Sequence, residues 1–333
     1  MSVTLKQVAD KARVSISTVS RVINNIPTIN ARTREKVLKV VSELNYSPNR
    51  IAKSLVEGRS YTLEMLLPTF SENSSPEAEY FYRLITGILS ATQAKSYNLL
   101  IKPRLLVDDP SKNWFDFPAD GYIIALPVIE DFVLGHLKAL RKPAVLVNSR
   151  LPEFNWIDID NVSAGAKVTE HLVKLGHKRI IFIGGMTGNQ NTVDRLNGYK
   201  QTLSRSGLVF DPKLVFYAGF DKMDAYNIIT EQLNLKTGFT AVFAANDLMA
   251  YGAADAVKEK GMKVPEDVAV AGFDDISTSE YFDPPLTTFR QPLVEEGKKA
   301  AELLIQQIEK NTTSTQGIEM AGELIIRKSC GNK

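Results

Sequence analysis

The chain has 333 residues, 44% of them hydrophobic and 23% charged, a globular balance too long for one compact core, so two or three domains are expected. No apolar run approaches the ~20 residues of a membrane span, and the start Met1-Ser2-Val3-Thr4-Leu5-Lys6 lacks the apolar stretch of a secretory signal, which predicts a cytoplasmic protein with no membrane partner. One cysteine, Cys330, and three histidines without metal-pair spacing (His136, His171, His177) argue against a disulfide or a metal centre, and no cofactor is expected.

The net charge of +2 is unevenly spread. Residues 1–60 hold 11 Lys+Arg against 4 Asp+Glu, a net +7, and the remainder holds 29 against 34, a net −5. Positive charge gathered on a small segment suits phosphate binding, because neutralised DNA phosphates release condensed counterions. A solvated basic face gives the same count, so the pattern of the segment has to decide.

Thr4 with Gln7 three residues later reads as a capping box, and Leu5, Val8, Ala9 and Ala12 recur at helical spacing. After the turn 13–15 a second helix is predicted over 16–24, capped by Ser15 and ending at Asn24. Val19, Val22 and Ile23 face inward there, which leaves Ile16, Ser17, Ser20 and Arg21 outward. Two short helices joined by a three-residue turn, with small polar residues and an arginine exposed on the second, suit insertion into a major groove. A helical hairpin without that role has the same outline.

A third helix follows over 31–44, capped by Asn30, with Val37, Val40, Val41 and Leu44 on one stripe. Then Ser47 caps and Pro48 opens a very short segment that is marginal as an isolated helix. It should form only with support from a partner chain and DNA.

Residues 3–10, 14–24, 33–37 and 45–50 together resemble the lactose-repressor/galactose-repressor (LacI/GalR) family, and the likeness runs down essentially the whole chain. The resemblance implies that Ile16, Ser17 and Arg21 read bases and that Thr18 and Ser20 hold the helix and phosphates. It makes 49–55 a hinge helix whose Leu55 wedges into a base step of a bent operator. A dimer-packing leucine fits Leu55 equally. Thr4, Ser15, Asn24, Asn49, Ala52 and Lys53 complete the expected DNA-binding set.

Beyond Gly58 short apolar runs alternate with helical stretches, the pattern of parallel α/β sheets. Strands are expected over 63–67, 98–102, 121–126 and 144–148, and again over 180–184, 214–218, 241–245 and 268–273. Two sets imply two lobes, with the chain crossing near Asp160 and returning at about 284–292. The resulting fold class is an N-terminal three-helix helix-turn-helix head (1–46), a hinge helix and linker (47–60), and an α/β two-lobed sensor (61–333) with parallel sheets. By resemblance, that sensor is periplasmic-binding-protein-like.

Ligands of open α/β sheets sit beyond the carboxyl ends of the strands, which directs attention to Asn148, Ser149 and Arg150, to Arg195 at the start of a helix, to Phe220, to Asn246 with Asp247, and to Asp274 with Asp275. A carboxylate and an arginine can each bond vicinal hydroxyls, and an aromatic can stack on a sugar or a base. The resemblance aligns effector contacts with Arg195, Phe220, Asn246 and Asp274. Phe70, Tyr80 and Phe81 could equally bury themselves in the core. Where many relatives have Asp-Arg after the fourth strand, this chain has Asn148-Ser149-Arg150, and 104–119 is short for the usual helix.

The reading that follows is a transcriptional regulator, expected to repress, with a near-palindromic double-stranded DNA operator and a mono- or oligosaccharide effector. A homodimer is expected rather than a tetramer, since no leucine heptads follow Thr315. A purine corepressor is the alternative within the fold. An enzyme is disfavoured: Asp274-Asp275 on a strand would point to opposite faces, Asp158 with Asp160 is a weak pair, and the glycine run 184–188 lacks the Lys-Ser/Thr of a phosphate loop. A transporter-linked solute-binding protein would need a leader and no basic head.

Overall fold

Helix caps organise the first sixty residues. α1 (Leu5–Ala12) opens on a complete capping box: Thr4 Oγ1 accepts from Gln7 N at 3.3 Å, and Gln7 Oε1 accepts from Thr4 N at 2.8 Å. It stops at Arg13, whose left-handed φ of 48° turns its N–H back to the Ala9 and Asp10 carbonyls. α2 (Ile16–Ile23) starts at Ser15, whose Oγ accepts from Thr18 N at 3.1 Å. α3 (Ala31–Glu43) starts at Asn30, which accepts from Thr33 N at 2.8 Å. One valine from each helix, Val8, Val19 and Val37, is wholly buried, and full burial of such a side chain is worth roughly 1.5–3 kcal/mol. Tyr46 also joins this core.

The computed structural model describes residues 3–23, 26–46, 58–68, 77–104, 118–125 and 132–331, and divides the chain into two units, Met1–Ser60 and Tyr61–Lys333. The second unit holds two six-stranded sheets. The first has the order β11-β5-β4-β3-β1-β2, from β1 (Thr62–Pro68), β2 (Asn98–Arg104), β3 (Gly121–Ala125), β4 (Ala144–Val147), β5 (Asn155–Ile159) and β11 (Gly317–Met320). The second has the order β12-β10-β9-β8-β6-β7, from β6 (Ile180–Gly184), β7 (Val215–Tyr217), β8 (Ala241–Ala244), β9 (Ala269–Asp274), β10 (Thr287–Arg290) and β12 (Glu323–Ile325). All pairings are parallel except β10 with β12. Central strands such as β3 and β6 are buried at every position, as sheets covered on both faces require.

α4 (Glu77–Ala94), α5 (Phe132–Ala139) and α11 (Leu293–Lys310) serve the first sheet. α6 (Asn161–Lys174), α7 (Gln190–Arg205), α8 (Lys222–Asn234), α9 (Asp247–Glu259) and the single turn α10 (Thr278–Tyr281) serve the second. α4 and α11 lie so close that a Cβ on Gly297 would meet the Leu84 carbonyl oxygen, and one on Gly87 would meet that of Val294.

The chain passes between the sheets three times, after β5, after β10 and between β11 and β12. The first two crossings match the sequence reading; the third arises because 317–320 forms β11, a strand not foreseen. β5 and β10 were also missed, and Leu214 belongs to a 3₁₀ turn ahead of β7 rather than to the strand. Asp158 and Asp160 are not a carboxylate pair: Asp158 is inside β5, while Asp160 caps α6 by accepting from Ser163 N at 2.9 Å.

Candidate functional site

Two places concentrate polar and aromatic groups. In the head, α2 buries Val19 and Val22 and turns the other face out: Ile16 is 50% exposed, Ser17 and Arg21 are exposed, and Ser20 is half-buried. Ile16, at the first position of the helix, is left half in water. Ser15 and Thr18 are spent locally, since Ser15 Oγ lies 2.8 Å from Thr18 Oγ1 and 2.7 Å from Ser17 Oγ. Thr4 is committed to its capping box. Asn24, Asn49, Ala52, Lys53 and Leu55 lie outside the described residues.

In the second unit a cleft runs between the carboxyl ends of the two sheets. Tyr80 and Phe81 of α4 contribute from the first sheet; Arg195, Phe220, Asn246 and Asp274 contribute from the second. Arg195 lies well inside α7, not at its start, because the helix begins at Gln190 under an Asn189 cap.

Arg195 is held on three sides. Its Nε donates to Asn161 Oδ1 at 2.9 Å, its Nη1 donates to the Ala245 carbonyl at 2.6 Å, and its guanidinium stacks 3.6 Å from the centre of the Phe273 ring. Burial pulls its pKa down, and Asp274 opposes that fall. Asn161 is fixed in turn by donating to Asp158 Oδ1 at 2.9 Å. The result is a guanidinium whose position and plane are set before any ligand arrives.

Asp274 closes β9 with a φ of 106° and accepts from Gln291 Nε2 at 2.6 Å. Burial raises its carboxyl to about 6 against the pull of Arg195. Its neighbour Asp275 points elsewhere and binds Arg290 Nε at 2.6 Å and Arg327 Nη1 at 2.7 Å. The two carboxylates therefore part company at the strand end. Asn246 caps α9 by accepting from Met249 N at 2.8 Å and donates to the Phe220 carbonyl at 3.3 Å. Phe220 sits at a left-handed φ of 68°, with its ring over Gly185 so closely that a Cβ there would enter the ring. That contact accounts for a glycine in the 184–188 run without any phosphate.

Not every candidate faces the cleft. Asn148 is buried behind Tyr80, accepting from its hydroxyl at 2.5 Å and donating to Glu296 Oε2 at 3.2 Å. Arg150 is turned away, bridging Asp158 at 3.5 Å and Glu319 at 3.0 Å and donating to the Ile159 carbonyl. Phe70 lies outside the described residues. Sequence reasoning missed Asn189, Asn191, Leu248, Ile276 and Gln291, all on the cleft wall. Asn189 and Asn191 follow β6, and Gln291 follows β10; the strand-end rule would have found them had β10 been recognised and the loop after β6 been read residue by residue.

Known proteins share this arrangement. Residues 4–49 match the family model of bacterial regulatory proteins of the lacI family, and residues 169–330 match that of a periplasmic binding protein-like domain. The chain is 32% identical to the HTH-type transcriptional repressor PurR of Haemophilus influenzae, over 98% of both chains. Among solved structures it is 27% identical to a lac repressor dimer bound to operator and the anti-inducer ONPF, with a TM-score of 0.84 over 100% of both chains. It is 29% identical to a complex of the transcriptional regulator CelR with cellobiose, with a TM-score of 0.74 over 98% of this chain and 99% of that one. The chain thus belongs to the lacI family of bacterial regulatory proteins and is a DNA-binding transcriptional regulator, not an enzyme, with a helix-turn-helix head and a two-lobed periplasmic-binding-protein-like body.

Proposed function

We propose that the chain is a repressor that binds a near-palindromic operator as a homodimer and answers to a sugar held between its two lobes. The observation that carries the sugar reading is the opposition, within one cleft, of the fixed guanidinium of Arg195, the carboxylate of Asp274 and the ring of Phe220. The polar pair suits vicinal hydroxyls, and the ring suits the apolar face of a pyranose. CelR has been solved with cellobiose.

DNA reading falls to Ile16, Ser17 and Arg21 on the open face of α2, and control falls to the short segment 49–55, whose sequence is too brief for a self-supporting helix. A sugar that touches both lobes can shift their angle only through unequal affinity for the two arrangements. Exposed Tyr82, Leu89 and Tyr281 supply apolar surface for a second copy, in line with the dimer seen for the lac repressor. The test is a mobility-shift assay on an operator selected from random DNA, run with and without a panel of sugars. One sugar should change operator affinity in the wild type and none should do so in Arg195→Met; a response that survives the substitution moves the effector out of this cleft. A purine that acts where every sugar is silent would replace the sugar with a base on Phe220.

A further inference from the structure

The first and third crossings between the lobes start side by side, because β11 pairs with β5 in parallel and sets Glu319 opposite Asp158. The two strands are pressed so close that a Cβ on Gly317 would enter the Trp156 ring. Paired residues of neighbouring strands share a face, so the two carboxylates stand together and would repel each other. Arg150, from the segment between β4 and β5, resolves the conflict. Its Nη1 lies 3.0 Å from Glu319 Oε2 and its Nε 3.5 Å from Asp158 Oδ2, its guanidinium is 5.4 Å from the centre of the Trp156 ring, and it donates to the Ile159 carbonyl. One side chain thus ties both crossings where they leave the first sheet.

Asp158 is wholly buried and bonded on its other side to the second lobe. Its Oδ1 accepts from Ile159 N at 2.8 Å and from Asn161 Nδ2 at 2.9 Å, and that Nδ2 also donates to the Ile159 carbonyl at 3.3 Å. With its nitrogen committed, Asn161 must present its oxygen to Arg195, whose Nε donates to it at 2.9 Å. An unbroken line of side chains therefore runs from Glu319 through Arg150, Asp158 and Asn161 to Arg195. Neither Arg150 nor Asp158 is on the cleft wall. Burial raises Asp158 to about 6, and Arg150 is the strongest influence holding it down. A neutral group at 158, carboxyl or amide, can turn a donor toward Asn161 and let its amide flip; a carboxylate only accepts.

We infer that Arg150, Asp158 and Asn161 are positioning residues, a strut that carries the placement of the two crossing strands to the guanidinium of Arg195 and so tunes the affinity of the cleft without touching its effector. The last step rests on the reading of Arg195 as an effector contact; the strut itself does not. Arg150 acts at a distance, through the charge it preserves on Asp158. When Arg150 is removed, Asp158 takes up a proton instead of standing buried and unpaired, and the Asn161 amide loses the acceptor that fixes its orientation. Arg195 then keeps its place but not its plane.

The experiment is side-chain NMR of the full chain with isotope-labelled arginine, reading solvent exchange of the Arg195 Nε–H, a signal assigned by its loss in Arg195→Met. Exchange should rise roughly 2- to 30-fold in Arg150→Met and in Asp158→Asn, and the double variant should match the single ones. The Arg290 Nε–H, bonded to Asp275 at 2.6 Å in the same lobe, should hold its rate, whereas a lobe that merely loosened would move both. Arg150 is partly exposed, so Arg150→Met decides alone should the buried substitution not fold. An unmoved Arg195 signal, or effects that add in the double variant, overturns the strut. Calorimetry of the wild type, Arg150→Met and Arg195→Met with glucose, cellobiose, ribose and hypoxanthine reads the last step. A compound that needs Arg195 should bind Arg150→Met more weakly by the same factor, and equal affinity overturns the positioning role even where the Arg195 signal has moved. If no sugar binds, the sugar reading fails and the strut stands or falls on the Arg195 signal.

Discussion

Glu79 of α4 accepts three hydrogen bonds from Ser277 of the second lobe, from its amide N at 2.9 and 3.0 Å and from its Oγ at 2.7 Å. Arg83, one turn on, pairs with Glu79 and donates to the Asp275 carbonyl. These contacts join the lobes beside the cleft through the loop that begins at Asp274. Asp247 stiffens the same loop by accepting from Ile276 N at 3.0 Å and Ser279 Oγ at 2.7 Å. Glu79→Ala should therefore loosen the lobes without unfolding either sheet. Coupling of this sort is typically about 1 kcal/mol or more, so effector affinity should change about fivefold in calorimetry while the melting temperature moves little. Unchanged affinity would remove Glu79 from any part in closure.

The buried acids predict a pH dependence of stability. Burial raises Glu296 from 4.5 to about 8 and Asp247 from 3.8 to about 8. The folded chain thus holds protons that the unfolded chain has already lost, and stability that is complete below about pH 4.5 drains away as pH rises through 8. Glu296→Gln has no proton to lose. Its urea midpoint should gain on the wild type steadily across that window, and parallel profiles would mean that Glu296 is not the group responsible.

Arg21 stands exposed on the outer face of α2. In a selection from randomised operators, Arg21→Ala should flatten base preference at one position of each half-site, with discrimination of about 1–3 kcal/mol lost there. Lys53→Ala should instead weaken all sequences alike. A full specificity profile in the Arg21 variant would reassign base reading to other residues.

Two glycines with opposite surroundings make a paired test of packing. A methyl at Gly297 would strike the Leu84 backbone, so Gly297→Ala should cost about 1–3 kcal/mol as α4 and α11 are forced apart. Gly135 in α5 has nothing within 4 Å of the position a Cβ would take, so Gly135→Ala should gain up to about 1 kcal/mol from helix propensity. Urea unfolding of both variants checks the signs.

What the sequence made legible follows from how local each signal is. The capping box at Thr4 and Gln7, the inward Val19 and Val22, and the apolar β3 and β6 announce themselves within a few residues. β5 and β10 do not, because Asn155 and Asp158 in one and Thr287 and Thr288 in the other are polar residues buried by distant partners. Asn155 is matched by Gln307 at 2.9 Å, and Thr288 donates to Asp247 at 2.5 Å. The same holds for the site: Arg195, Phe220, Asn246 and Asp274 follow a strand-end rule or a motif, whereas Gln291 and Glu296 become visible only once the crossing after β10 is placed. Arg150 shows the rule's limit, since a strand-end arginine was claimed by Asp158 and Glu319.

The three passages between sheets carry a consequence for synthesis. α11 covers the first sheet and β11 forms its edge, yet both leave the ribosome after the entire second sheet except β12. The apolar face of α4 must therefore wait, bare, through the translation of the 198 residues between Ala94 and Leu293, and the outer edge of β5 through the 157 between Ile159 and Gly317. Neither lobe can be finished in isolation, so a chain broken at either of the first two crossings leaves an aggregation-prone half instead of a free-standing domain.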